Sequence, residues 1–521
     1  MTIKRLGLVF LTLVAIFFSG TSLLNSWQEP QFQSRLELYQ TNILLQASEW
    51  QPANGEDKNL QVLKEAIIGE KPLETAISQY QQARKSAKIN LEKAKNQLAK
   101  LSSDASFKLQ PEIPPASNIS NSAQQKQLQQ VLHQLQKSLA EIDLQLGILQ
   151  AKKGDVNAAL QTWKKLQQNS EIDSEWRETA AVLIGLWSNP PRILPNAEPL
   201  IQAKLKAWFR YTVLTQLYQL QQRQSALENV KAEIQQAAGN AMWKLALIGT
   251  VPALGAFIGV VLLIFLIAER VVKGKAALLE QNADLTWSTP WGGETILQVF
   301  VVGFFLMGQL LVPLILSVLP IPHPVQNVRL QAFYVFLSYM LVALGALLVL
   351  YLSIKRFLPL SPEWFRFRWQ DKWFLWGLGG YCAALPIVVV VSLINQKIWQ
   401  GQGGSNPLLQ LALESQDSVA LGIFFLTAAI AAPLFEEFLF RGFLLPSLTR
   451  YMSVWQAIFA SSLLFAVAHL SLSEVLPLFA LGVVLGVVYT RSRNLLAPML
   501  IHSLWNSGTL LSLFILGSST Q

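Results

Sequence analysis

The chain has one cysteine, Cys382, and four histidines in 521 residues. A lone thiol in an apolar run builds neither a disulfide framework nor a cysteine zinc site. Charge is scarce as well: 14% of residues are Asp, Glu, Lys or Arg, against 52% hydrophobic, and the mean hydropathy is +0.34. That composition is too apolar for a wholly soluble protein and points to a membrane protein. The net charge of +9 resembles a nucleic-acid signal, but much of the excess lies in short loops between apolar runs, where membrane orientation explains it. Nucleic acid is therefore not expected as a partner.

Long apolar runs are what the sequence does have, and their distribution divides the chain. Residues 1–24 place Lys4 and Arg5 before an apolar run from Leu6 to Phe18, the pattern of a signal peptide or an uncleaved anchor. The anchor is preferred because no clear Ala-x-Ala signal follows. Residues 25–240 are polar and Gln-rich with apolar residues at helical spacing, which predicts a soluble helical domain. Within it, Gly147 to Trp163 resembles a tetratricopeptide repeat, with Gly154-Asp155 as the turn and small Gly147 and Ala159 at the helix contact. A poorer echo runs from Tyr218 to Val230. Fewer than three units leave a generic helical bundle or coiled coil equally open.

Residues 241–521 hold runs of about 20 apolar residues, the length that crosses a bilayer. Spans are expected near Trp243–Ala268, Ile296–Val318, Ala332–Ile354, Trp373–Ile394, Val419–Leu448, Trp455–Leu470, Val475–Thr490 and Leu495–Leu516, nine with the N-terminal segment. The expected fold class is all-α, a polytopic membrane helix bundle with an N-terminal soluble helical domain. Lys and Arg crowd one set of loops (Arg270, Lys273, Lys275, Lys355, Arg356, Arg366, Arg368, Lys372, Arg450, Arg491, Arg493), while the opposite loops hold only Arg329 and Lys397. The basic face is expected in the cytoplasm and the helical domain on the far side.

Against this apolar background stand Glu436, Glu437, Arg441, His469, His502 and Asn506. Ionisable groups at such depth cost a few kcal/mol each and usually mark function. Glu436 lies 13 residues before Thr449 and His469 lies 15 after Val454, each roughly 20 Å from that turn at helical rise. His502 and Asn506 fall roughly 12 to 18 Å from the Arg491–Asn494 loop. The three clusters thus share one level. Glu437 and Arg441, four apart with the acid first, suit a helical ion pair, and Glu436 lies about 100° round the helix, free to face a cavity. Pro433 frees a backbone carbonyl one turn earlier. His133, in the Gln-rich region, and His323, in an Ile-Pro-His-Pro loop, carry no such pattern.

Glu-Glu-x-x-x-Arg, Phe-x-x-x-His and His-x-x-x-Asn on successive apolar helices, from about Ser418 to Gly508, resemble the CAAX prenyl protease and bacteriocin-processing family of intramembrane proteases. Ala432-Pro433, Arg441-Gly442, Gly482 and Gly486 agree with it, and the N-terminal domain lies outside it. The resemblance implies hydrolysis of a peptide bond in a membrane-associated protein or peptide. Glu436 then serves as base for water, His469 shares that water, His502 and Asn506 stabilise the oxyanion, and Glu437 and Arg441 support the geometry. Glu436, His469 and His502 also offer a His2Glu set for zinc, although no His-Glu-x-x-His string occurs, and a metal-free route is preferred. No Gly-x-Gly-Asp and no nucleophile-elbow serine lie in the spans, which argues against aspartyl and serine chemistry. Two other readings stand beside the protease: a silent membrane scaffold recruiting a protein partner through residues 25–240, and a proton-coupled transporter, for which inverted repeats are expected and none is detected.

The lysine and arginine asymmetry generates a first prediction. Cysteines placed at Gln127 and Ser361, with Cys382 replaced by serine, are expected to label from opposite sides of a sealed membrane. Labelling from one side would refute the orientation.

Overall fold

The computed structural model of the chain describes residues 3–27, 33–51, 62, 64, 65, 67–106, 118–318, 327–399, 403, 404 and 417–517. His323 lies outside them. Every described regular element is a helix, as the composition and spacing predict. The chain divides into two compact units, one of residues 1–32 with 248–517 and one centred on residues 33–247.

Helix α1 (Ile3–Ser26) belongs to the first of these units, where Lys4 and Arg5 pair with Glu294 at 3.1 and 3.2 Å. The other unit holds α2 (Gln33–Ser48), α3 (Pro72–Ser106), α4 (Asn118–Lys153), α5 (Val156–Gln167), α6 (Ser174–Trp187), α7 (Ala197–Lys204) and α8 (Ala207–Leu220). Its core gathers Tyr80, Leu144, Ile148, Trp163, Trp176, Leu183, Trp208 and Phe209. Helices α4 and α5 form a tight hairpin: Gly154 takes a φ of +97° and Asp155 caps α5 by accepting from the Ala158 amide at 3.1 Å. A positive φ suits glycine because no Cβ meets the backbone. At Gly147 the indole of Trp163 fills the space a side chain would need, and its Nε1 donates to the Leu144 carbonyl at 3.1 Å.

Helix α9 (Gln224–Lys273) runs for 50 residues and passes from one unit into the other between Leu247 and Ile248. The membrane unit continues with α10 (Gly293–Val318), α11 (Val328–Ile354), α12 (Trp373–Trp399), α13 (Ser418–Leu448), α14 (Val454–Val467), α15 (Leu472–Ser492) and α16 (Leu496–Gly517). Among the described residues eight helices are long and apolar enough to cross a membrane, one fewer than the nine expected. The exception is α14, with 14 residues. At about 21 Å it falls short of a hydrocarbon core of about 30 Å. It starts on a capping box between Ser453 and Gln456 and ends in a turn where Leu470 has a φ of +57°. It then pairs with α15, and at the far end of that hairpin the Arg491 guanidinium lies 5.3 Å from the Trp455 ring.

Several basic loops meet at this same end of the membrane unit. Arg450 donates to the carbonyls of Thr289 and Trp291, Arg491 to Leu279, and Arg493 to Leu285, while Asn494 bridges to the Arg368 backbone. The charged residues thus supply donors to backbone carbonyls of the connection between α9 and α10.

The α4–α5 contact carries a test in which two effects oppose each other. Alanine raises helix propensity over glycine by about 1 kcal/mol, but a Cβ at 147 would sit 2.2 Å from the Trp163 Nε1. Overpacking of this kind costs about 1 to 3 kcal/mol, so Gly147→Ala is expected to lower the unfolding midpoint of the 33–247 unit. An unchanged or raised midpoint in denaturant unfolding of the full chain would contradict this packing.

Candidate active site

Helix α13 is not a uniform α-helix. Residues Leu426–Ala431 and Phe438–Leu444 are π-helical, and between them lies the α-helical stretch Ala432–Glu437. The wider winding is visible in the amides of Ala432 and Leu445, which donate five residues back to Thr427 and Phe440. Such π-turns are rare and concentrate at functional sites. Pro433 adds a second irregularity, because it has no N–H for the carbonyls four and five residues earlier. Those carbonyls are Ala429 and Ala428. Both are taken up by α16: Ser503 Oγ donates to Ala429 at 2.6 Å and Asn506 Nδ2 to Ala428 at 2.7 Å.

The backbone defect in α13 therefore docks the helix that carries His502. That imidazole is buried, and its Nδ1 stands 2.8 Å from Glu437 Oε1. The same oxygen accepts from Arg441 Nη1 at 2.7 Å, and both members of the Glu437–Arg441 pair are 0% exposed. Arg441 extends further, donating from Nη2 to the Gly482 carbonyl at 3.2 Å and laying its guanidinium 4.5 Å from the Phe465 ring centroid. The missing side chain of Gly482 lets α15 lie close to α14, since a Cβ there would press on Ser462 at 2.9 Å. Among the described residues, Glu437 Oε2 and Arg441 Nε are buried without a hydrogen-bond partner.

Glu436 takes a different environment from its neighbour. Its side chain keeps 16% exposure, its Oε1 accepts from the Tyr339 hydroxyl at 3.0 Å, and its Oε2 lies 4.0 Å from His502 Nε2. That last separation exceeds a hydrogen bond. His469 stands at the end of α14, its Nδ1 placed 2.9 Å from the Phe465 carbonyl. A carbonyl only accepts, so Nδ1 is the donor in this contact. Both histidines contact the Phe465 ring edge to face, at 5.0 and 5.7 Å between centroids.

Of the residues singled out in the sequence, Glu436, Glu437, Arg441 and His502 thus meet through polar groups. His469 joins them across Phe465, and Asn506 through the Ala428 carbonyl of α13. Tyr339, Ser503 and Phe465's bridging position were not singled out. Tyr339 sits in the apolar α11 some hundred residues earlier, with no local pattern to mark it. Among the described residues no group of three His, Cys, Asp or Glu side chains is arranged to hold a metal. Glu436, His469 and His502 as placed do not form such a group, although the Nδ1 contacts of His469 with a carbonyl and of His502 with Glu437 are ones that zinc-ligating histidines also make.

Comparison with known proteins places this geometry. Residues 418–508 match the family described as Rce1-like, type II CAAX prenyl endopeptidase Rce1-like. These residues form an Rce1-like CAAX protease domain. The chain is 27% identical over 216 residues to the membrane-embedded CAAX protease MroQ of Staphylococcus aureus (strain USA300), covering 40% of this chain and 85% of the relative. It is also 42% identical over 82 residues to an uncharacterized 24.3 kDa protein of Escherichia coli, covering 15% of this chain and 38% of that protein. No solved structure matches the chain significantly. Together with the eight apolar helices among the described residues, these similarities make the chain an integral, multi-pass membrane protein carrying a peptidase-family domain.

The buried ion pair generates the prediction for this site. Removing one partner of a buried pair strands the other charge and costs about 3 to 5 kcal/mol. Arg441→Ala and Glu437→Gln are each expected to lower the unfolding midpoint in detergent, and Arg441→Met with Glu437→Gln to lower it less than Arg441→Ala alone. A double variant as unstable as the sum of the singles would contradict it.

Proposed function

We propose that residues 418–508 hydrolyse a peptide bond in a membrane-associated protein or peptide, with Glu436 drawing the proton from water. The observation that carries this reading is the 4.0 Å gap between Glu436 Oε2 and His502 Nε2, with each group held from behind. Tyr339 holds the other oxygen of Glu436, and Glu437 holds the other nitrogen of His502. A water or substrate oxygen that bonds both groups would sit beside the line between Glu436 Oε2 and His502 Nε2, since two contacts of about 2.8 Å close a triangle on it. The carboxylate takes the proton of the attacking water and returns it to the amine nitrogen as the C–N bond breaks, and the His502 imidazole, oriented by the Glu437 carboxylate, is placed to stabilise the developing oxyanion. Asn506 uses one amide N–H on Ala428 and keeps a second for the same oxyanion. His469 shares the water. No metal enters this route.

The basic end of the membrane unit is assigned to the cytoplasm and the 33–247 unit to the other side, on the charge asymmetry of the loops. That unit carries a cavity of about 630 Å³ whose lining includes Glu49, Lys152, Trp187, Trp208, Tyr211 and Gln219. Its mixture of aromatic faces and amides suits a segment of a protein partner, which supports a role in selecting substrates. The α4–α5 turn suits a tetratricopeptide-like hairpin, while the 36 residues of α4 suit a generic helical bundle equally well.

The decisive experiment compares membrane proteomes with wild-type and Glu436→Gln protein, followed by cleavage assays on a candidate substrate. Glu436→Gln is expected to abolish turnover and leave binding largely intact, with His469→Ala nearly as severe. His502→Ala and Asn506→Ala are each expected to lower turnover by about 100-fold or more, the loss typical of an oxyanion donor. Turnover is expected to survive a zinc chelator. Folded Glu436→Gln protein that cleaves normally would overturn the mechanism.

A further inference from the structure

Among the described residues, the carboxylate of Glu436 makes one hydrogen bond, and its donor lies outside the Rce1-like domain. The donor is the Tyr339 hydroxyl on α11, 3.0 Å from Oε1. The phenol ring packs edge to face on Phe435, with centroids 6.1 Å apart, so the residue before Glu436 helps seat it. Helix α11 is itself tied to the start of α13, where Arg329 Nε lies 2.8 Å from Asp417 Oδ2, and Ala332 packs in one cluster with Ala420 and Phe424. The tyrosine therefore belongs to an element docked on the glutamate helix at more than one point.

We infer that Tyr339 is a positioning residue that holds Glu436 by Oε1 and so presents Oε2 to the gap before His502. The inference rests on the assignment of Glu436 as base. A glutamate has three rotatable bonds, and a carboxylate exposed on one side samples orientations that point neither oxygen at the reacting water. A single donor on Oε1 removes that freedom. A neutral donor also satisfies the carboxylate without the competing charge that an arginine would bring, and Arg441 is already committed to Glu437. The two adjacent acids are thereby separated in role, one paired with a guanidinium and one held by a phenol.

The test uses the full chain in detergent or nanodiscs. Tyr339→Phe removes the hydroxyl and keeps the ring on Phe435, and 4-methoxyphenylalanine at 339 keeps the oxygen but has no proton to donate. Either is expected to lower kcat on a fluorogenic prenylated CAAX peptide by about 10-fold or more, the scale of one hydrogen bond to a charged group, with KM and unfolding midpoint unchanged. Infrared difference spectra, each background minus its Glu436→Gln counterpart, isolate the Glu436 carboxylate stretch and need no substrate. That band is expected to shift when the phenol proton is lost. The inference requires both effects where the peptide is cleaved, and the infrared band decides where it is not. A wild-type kcat, an unshifted band, or a loss confined to KM and stability would overturn it. Cleavage that survives in Glu436→Gln would overturn the base itself, whereas an inactive Glu436→Gln beside a fully active Tyr339→Phe would overturn the tyrosine's role alone.

Discussion

The membrane unit is organised around a carboxylate and a guanidinium that have no contact with solvent. Glu437 and Arg441 are one helical turn apart on α13, yet their pairing is more than local, since the same carboxylate oxygen accepts His502 from α16 and the guanidinium reaches Gly482 on α15 and Phe465 on α14. Desolvating two charges costs several kcal/mol each, and only close geometry with further hydrogen bonds offsets it. Four helices must therefore stay in register around this pair. A shift of any one of them would leave a charge or a carbonyl unpaired at membrane depth, where water cannot replace the lost partner.

The irregular backbone of α13 follows the same constraint. Two π-helical stretches and Pro433 leave carbonyls that an α-helix would have satisfied internally. In an apolar medium each such group needs a partner, and Ser503 and Asn506 supply two. The defect thereby becomes a docking point between the helix of the acids and the helix of His502. Asn506 consequently has a structural contact as well as its proposed part in the chemistry, and one N–H serves each.

The family match spans residues 418–508, but the physical site is wider. Tyr339 comes from α11, and the loops that meet Arg450, Arg491 and Arg493 come from residues 277–292. The 33–247 unit has its own core around Trp163 and Phe209 and owes nothing to the buried charges. Each unit is thus stabilised by a different balance, one by apolar burial from water and the other by packing and polar satisfaction among helices.

Helical class, the division into a polar and an apolar region, and most spans were legible in the sequence, because periodicity and transfer free energy act over a few turns of one segment. The Glu437–Arg441 pair was legible for the same reason, being four residues apart. The helix within the span expected at Trp455–Leu470 is shorter than the apolar run, because a turn begins after Val467 and Leu470 takes a φ of +57° where hydropathy alone would continue. Only the tertiary structure decided that His502 holds Glu437, that Asn506 caps Ala428, and that Tyr339 meets Glu436. Those contacts join positions 65, 78 and 97 residues apart. Their formation depends on how whole helices rotate and dock, and no local pattern carries that information.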